Sequence, residues 1–167
     1  MSVLEILRWP DPRLSMACAP VGQVTEDIRV LASDMFDTMY AAPGRGLAAP
    51  QVGVLKRMFV MDATWKDDVR TPEVFIDPQI ISADVELSEM EEGCLSIPGI
   101  MTSIARPTWV EVRWQDLNGE ACEQRFTGFS AACVQHEIDH LDGVVTLDRL
   151  DADTRASVLE AYEGVPV

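Results

Sequence analysis

With 167 residues, 47% of them hydrophobic, the chain has enough apolar material for a single domain (residues 1–167) whose core needs no disulfide help. No segment approaches the roughly 18 uninterrupted apolar residues of a membrane span, and Met1 to Ile6 lacks the pattern of an export signal. A soluble, intracellular protein with reduced thiols is expected, and with a net charge of -15 neither nucleic acid nor anionic membrane is an expected direct partner by charge alone.

From Thr25, apolar residues recur at Ile28, Leu31, Met35 and Met39, with acidic Glu26 and Asp27 in the first turn, so the spacing predicts an amphipathic helix ending before Pro43-Gly44. Met58 to Met61, Val74 to Ile76 and Ile80 to Leu87 are rich in branched or bulky residues and read as strands. Trp109 to Trp114 alternates apolar and charged positions, Asn118-Gly119 supplies a tight turn, and Cys122 to Phe126 is the returning strand. A helix capped by Ser130 runs through Leu141 with Gly143 near its end, and a last helix starts at Asp151 and covers Ala156, Leu159 and Tyr162. The pattern predicts an α+β domain in which antiparallel strands surround a central helix.

That central helix carries the chemistry. Ala131, Ala132, Cys133, Val134, Ile138 and Leu141 call for burial, yet His136, Glu137 and His140 lie among them. Burying two imidazoles and a carboxylate without partners costs several kcal/mol. Residues four apart share a helix face, so His136 and His140 can hold one metal ion with Glu137 beside it. They are the only two histidines of the chain. A catalytic site usually takes a third protein ligand and keeps one position open. Cys94 is the first choice because Gly93 before it lets the backbone bend, while Cys133, one turn before His136, is a competitor better suited to the pocket wall. Cys18 and Cys122 read as buried small hydrophobes. In Gly44 to Gly53, small residues allow a close backbone approach and Gln51 adds an amide donor.

Gly44 to Gln51, Glu92-Gly93-Cys94-Leu95-Ser96 and Gln135-His136-Glu137-Ile138-Asp139-His140 resemble, in order, three motifs of the peptide deformylase family, and Pro10-Asp11-Pro12-Arg13-Leu14 also looks like that family. The resemblance spans nearly the whole chain. It implies a metal-dependent hydrolase that removes the formyl group from N-terminal formylmethionine of new bacterial or organellar polypeptides. It implies one divalent ion, Fe2+ first and Zn2+, Ni2+ or Co2+ as alternatives, on Cys94, His136 and His140. Glu137 would be the acid-base residue, and the Gln51 amide with the backbone N–H of Leu95 would hold the oxyanion. Arg45, Gly46, Gly93 and Cys133 would border the peptide, lying as an added strand. A cytoplasmic bacterial location and a transient ribosome contact follow by the same analogy. Two positions depart from the pattern: Arg45 stands where the family usually has an aliphatic residue, and Met101 where it usually has a peptide-holding arginine.

Two other readings fit parts of the sequence. A zinc peptidase shares His-Glu-x-x-His, but Thr146 occupies the place of one group's third histidine, which leaves Glu160 or Glu163 as the downstream ligand. A divergent relative that binds formylated peptides without turnover has Arg45 and Met101 as its support.

Overall fold

The computed structural model describes residues 2–163. Helix α1 (Glu26–Ala41) is followed by strands β1 (Gly46–Ala48), β2 (Met58–Met61), β3 (Glu73–Ala83), β4 (Leu87–Cys94), β5 (Ile97–Pro107), β6 (Trp109–Gln115) and β7 (Ala121–Thr127), then by helices α2 (Gly128–Leu141) and α3 (Ala152–Glu163). The seven strands pair antiparallel, in one five-stranded sheet of order β1-β2-β3-β6-β7 and a separate β4-β5 pair, and an isolated parallel bridge joins Ala19 to Lys56. The class is the α+β arrangement expected from the sequence.

Successive side chains of a strand point to opposite faces, so a strand covered on both sides is apolar throughout. In β2 all four residues are buried for this reason. Met58 and Val60 pack with Ile28, Ala32, Met35 and Met39 of α1, whereas Phe59 and Met61 pack with Ala131, Val134, Ile138 and Leu141 of α2. The sheet thus lies between the two helices. On the α2 side Phe75 stacks on Phe59 at 4.5 Å and meets Trp114 at 4.6 Å and Phe126 at 5.8 Å between ring centroids, which ties β2, β3, β6 and β7 together. Cys18 lies in this core, while Cys122 only borders it, half-buried with its thiol toward Asp116.

A third cluster lies under α3, where Leu14, Cys94, Ile97, Val145 and Leu147 are covered by Trp9, Leu159 and Tyr162. The N-terminal segment threads past the site by backbone bonds. Leu7 N–H donates to Gln51 O at 2.7 Å and Trp9 N–H to Ser96 O at 2.8 Å, and the Tyr162 hydroxyl then donates to Trp9 O at 2.6 Å.

Three expected boundaries move. β3 runs unbroken through Asp77-Pro78, because the proline, which lacks an N–H for the ladder, sits at a shift in register between Ile76 and Gln79. The strand expected from Ile80 to Leu87 ends at Ala83; the Asp84 carboxylate accepts from Glu86 N–H and Thr108 Oγ1, making a turn before β4. Helix α2 starts two residues before Ser130, with Thr127 at the cap position and Gly128 in the left-handed region at φ 57°. The last helix begins as expected, with the Asp151 carboxylate accepting Thr154 N–H at 2.8 Å.

Gly143 closes α2 at φ 76°, and a Cβ there would lie 2.8 Å from the Ser15 carbonyl carbon and oxygen. Gly119 has a similar φ of 75° with nothing within 4 Å of the same position. Gly119→Ala should therefore lose about 1 kcal/mol from its backbone angle alone, and Gly143→Ala about 3 kcal/mol once the clash is added. Urea unfolding of both variants checks this; equal losses would mean that the approach of Ser15 is not tight.

Candidate metal centre

Ten of the 14 residues of α2 are buried, so the polar groups on its inner face depend on protein partners. Cys94, at the end of β4, meets that face. One ligand atom from each of Cys94, His136 and His140 lies within 4.8 Å of the other two, and all three residues are buried. The Cys94 Sγ is 3.5 Å from His140 Nε2. His136 Nδ1 is engaged at 2.9 Å by Glu92 Oε1, which leaves its Nε2 for the site. Among the described residues this is the one such group of ligating side chains, and Cys133 is outside it.

The donor set fits a divalent ion. One thiolate and two imidazoles suit zinc, iron, nickel or cobalt, and three protein ligands leave room for a reacting oxygen. Burial and the neighbouring His136 hold His140 well below the usual imidazole range, so it is neutral, as a ligand must be. Burial opposes charge on His136 too, but Glu137, Cys94 and Glu92 outweigh it and raise its pKa. These surroundings favour positive charge at this spot, which an ion would supply.

Glu137 Oε1 is buried without a hydrogen-bond partner among the described residues. Burial pushes this carboxyl up to about 7, with His136 holding it down and Glu92 pushing it further. A carboxyl titrating there can accept a proton and return it near neutral pH. Gly46 on β1 gives it space, since a Cβ at that position would stand 2.6 Å from Glu137 Oε2. Gln51 follows β1 in a short 3-10 turn and is oriented by Ala48 N–H, which donates to its Oε1 at 3.0 Å. Its Nε2 then faces Ser96 Oγ at 3.0 Å and Cys94 Sγ at 3.7 Å. Leu95 and Ser96 form the turn between Cys94 and its ladder partner Ile97.

Cys94, His136, Glu137, Gln51, Leu95 and Gly46 line a pocket of about 780 Å³ together with Arg45, Gly93 and Cys133, and His140 joins them through its place in the ligand group with Cys94 and His136. Met101, the second departure, also lines it; paired with Gly93 across β4-β5, it stays 59% exposed. Glu160 and Glu163 are exposed on α3, outside the cluster, which removes the downstream ligand that a zinc peptidase would need.

Sequence reasoning missed the layer behind the ligands. Arg106 on β5 forks onto Glu92 with bonds of 2.7 and 2.9 Å and reaches Asp139 at 2.9 Å, and Arg149 holds the far side of Asp139 at 2.5 and 2.7 Å. Burial would raise Glu92, but Arg106 and His136 outweigh it and hold it below the usual carboxylate range. An anionic Glu92 fixes the His136 ring so that Nδ1–H donates to it. The signal was alternation, because Glu92 and Cys94 are two apart in a strand and share its inner face. Nothing near Arg106 in sequence announces its partners.

A model of the polypeptide deformylase family matches residues 3–156. The peptide deformylase of Afipia carboxidovorans is 46% identical over 162 residues, which cover 97% of this chain and 95% of that protein. That of Cellvibrio japonicus is 45% identical over 163 residues, covering 98% and 95%. The crystal structure of peptide deformylase from Ehrlichia chaffeensis in complex with actinonin is 42% identical, covers 98% of each chain and superposes with a TM-score of 0.92. The peptide deformylase structure from Legionella pneumophila gives 39% and 0.92, over 98% of this chain and 95% of that one.

Glu92→Gln keeps the shape of the side chain and removes its charge. Affinity for zinc or nickel should fall about 10- to 100-fold, the usual effect of losing a carboxylate behind a histidine ligand. Competition with a chromogenic chelator measures it. Unchanged affinity would reduce Glu92 to a partner of Arg106.

Proposed function

This chain belongs to the peptide deformylase family, and we propose that Cys94, His136 and His140 hold its divalent ion while Glu137, Gln51 and the backbone N–H of Leu95 carry the chemistry. The protein is a metal-dependent hydrolase that removes the formyl group from the N-terminus of newly made polypeptides. The observation that carries the assignment of roles is the partnerless Glu137 Oε1, buried beside a thiol and two imidazoles at the floor of the pocket.

When bound, the ion supplies Lewis acidity, which makes a water molecule acidic enough to attack near neutral pH. The rest is work for the chain. Glu137 takes a proton from the attacking water as its oxygen bonds to the formyl carbon, and the carbonyl π pair moves to the formyl oxygen. Gln51 Nε2–H and Leu95 N–H donate to that oxyanion. The C–N bond then breaks, Glu137 returns the proton to the departing amine, and formate and the free N-terminus leave. The peptide itself has two strand edges to use. β1 is an edge of its sheet and β4 pairs only with β5, so both offer backbone N–H and C=O groups to an extended chain in the pocket. Gly46 and Gly93 keep those edges open, and Cys133 lies on the wall beside Arg45, its thiol 4.0 Å from Arg45 O.

Ferrous iron is our choice for the native ion, with zinc, nickel or cobalt able to take its place; the mixed thiolate and imidazole set supports all four. A substrate made only during translation supports a place in the bacterial cytoplasm with a transient ribosome contact. No helix among the described residues is long and apolar enough to cross a membrane.

Glu137→Gln should keep its ion and lose about 10²-fold or more in turnover of formyl-Met-Ala-Ser, because general acid-base transfer is gone while the ligands stay. Metal analysis and initial rates check this together, and undiminished turnover by the loaded variant would remove Glu137 from the reaction. A Cys94 thiolate on ferrous iron is open to oxidation. The iron form should lose activity in air faster than the nickel or zinc form, and mass spectrometry should find added oxygen on Cys94. Equal lifetimes with an unmodified Cys94 would contradict the assignment of that ligand.

A further inference from the structure

The chain has 28 acidic residues for 13 basic ones, so an arginine finds a carboxylate easily. Arg57 bonds Asp142, Arg113 bonds Glu123, Arg125 bonds Glu111 and Arg155 bonds Asp148, all at the surface. Arg45 does not. It lines the pocket, half-buried, with its guanidinium carbon 4.9 Å from the centre of the Phe129 ring. Its Nε is sealed from water and has no acceptor among the described residues, and no ion pair of Arg45 occurs among them. A stacked guanidinium is held in one plane, and its N–H fork suits a carboxylate.

The backbone explains why the head is where it is. Arg45 O accepts Asp62 N–H at 2.9 Å, and Gly44 before it accepts the Trp65 indole N–H on its carbonyl at 2.8 Å, so the residue is pinned immediately before edge strand β1. Of the acids lining the same pocket, Glu92 is bound to Arg106 and Glu137 lies beside the metal-ligand group, while exposed Glu91 stands on the β4 wall. Positive charge on the β1 side and negative charge on the β4 side make the pocket polar across its width.

We propose that Arg45 is a specificity-determining residue that binds a side-chain carboxylate of the formylated peptide, within the two residues after formylmethionine, and so favours polypeptides with an acidic start. The proposal rests on the deformylase reading for its substrate and, for its selectivity, on an Arg45 that has no ion pair among the described residues. Because this contact is made alike before and during reaction, its effect falls on KM.

The test uses the metal-loaded protein with formyl-Met-Glu-Ala amide, formyl-Met-Ala-Glu amide and their glutamine counterparts, and with formyl-Met-Ala-Ala as amide and free acid. Deformylated forms of the same peptides are titrated by calorimetry, which reads binding without turnover. The parent should favour glutamate over glutamine at one of the two positions by roughly tenfold in kcat/KM and in Kd, the size of one charge-assisted hydrogen bond. Arg45→Gln should bring that ratio to one, and Arg45→Lys should restore part of it. A ratio of one in the parent, or the same ratio in Arg45→Gln, overturns the proposal. A gain for the free acid over the amide without any for glutamate shows a terminal carboxylate to be what Arg45 takes, and overturns it too. If no formyl peptide is turned over while the deformylated ones keep an Arg45-dependent ratio, the deformylase reading fails and the selectivity stands.

Discussion

Arg106 joins two carboxylates from elements that otherwise have little reason to meet. It is 4% exposed, and its fork closes on Glu92 of β4 while its third nitrogen reaches Asp139 of α2. Arg149, from the segment before α3, balances the second acid. Arg106 and Glu92 are buried and Asp139 nearly so, while Arg149 neutralises the second acid from an exposed position, so the charges of the group sum to zero. Removing one member of such a buried set typically costs 3–5 kcal/mol, against a total stability of about 5–15 kcal/mol for a domain. Well-packed apolar residues of similar volume could hold the same elements at no loss. What they could not do is present an anion to His136 Nδ1 and so fix the ring whose other nitrogen faces Cys94.

The remainder of the fold brings distant segments to that network. Residues 94 and 136 come from different layers, the first from the β4-β5 pair and the second from α2, which packs on the five-stranded sheet. Gln51 enters from a third direction, after β1, and its orientation depends on Ala48 N–H rather than on anything in α2. The N-terminal segment then bonds to both Gln51 and Ser96, and α3 covers it through Tyr162. The site is therefore clamped by the N-terminal segment, whose Ile6 lines the pocket while Leu7 and Trp9 hold Gln51 and Ser96 through backbone bonds.

How much of this the sequence disclosed depends on the range of the interaction. Local periodicity is enough for α1, for the β6-β7 hairpin and for the burial of α2, because each is fixed by neighbours a few residues apart. It failed at Pro78, where a proline that should end a strand was absorbed by a bulge, and at Ser130, where a good capping residue lost to an earlier start at Gly128. It also gave no hint of β5, whose residues 97–107 lack clean alternation because their inward positions include Thr102 and Arg106. The pair at four-residue spacing on α2 was legible, and so was Cys94 after its glycine. Glu92 was half-legible through its spacing from Cys94. Arg106 and Arg149 were not, since a long-range ion pair leaves no mark in the sequence of either partner.

Gly46 shows how closely the edge strand and the reacting group are coupled. A side chain there would collide with Glu137 Oε2, so the same lack of a Cβ that opens the β1 edge to a peptide backbone also lets the carboxylate stand at that edge. On the proposed reading, an extended peptide paired to β1 would lie across Glu137 at a spacing set by main-chain hydrogen bonds, whatever its side chains are. In that arrangement the backbone would set where the formyl group stands, and choice among peptides would fall to the side chains around it. Arg45, next to Gly46 in sequence, holds its guanidinium over Phe129, with no acceptor for Nε among the described residues. If Arg45 selects among peptides as proposed, it would do so without a contact to Glu137, and a wall that departs from the family pattern could then coexist with an unchanged Glu137.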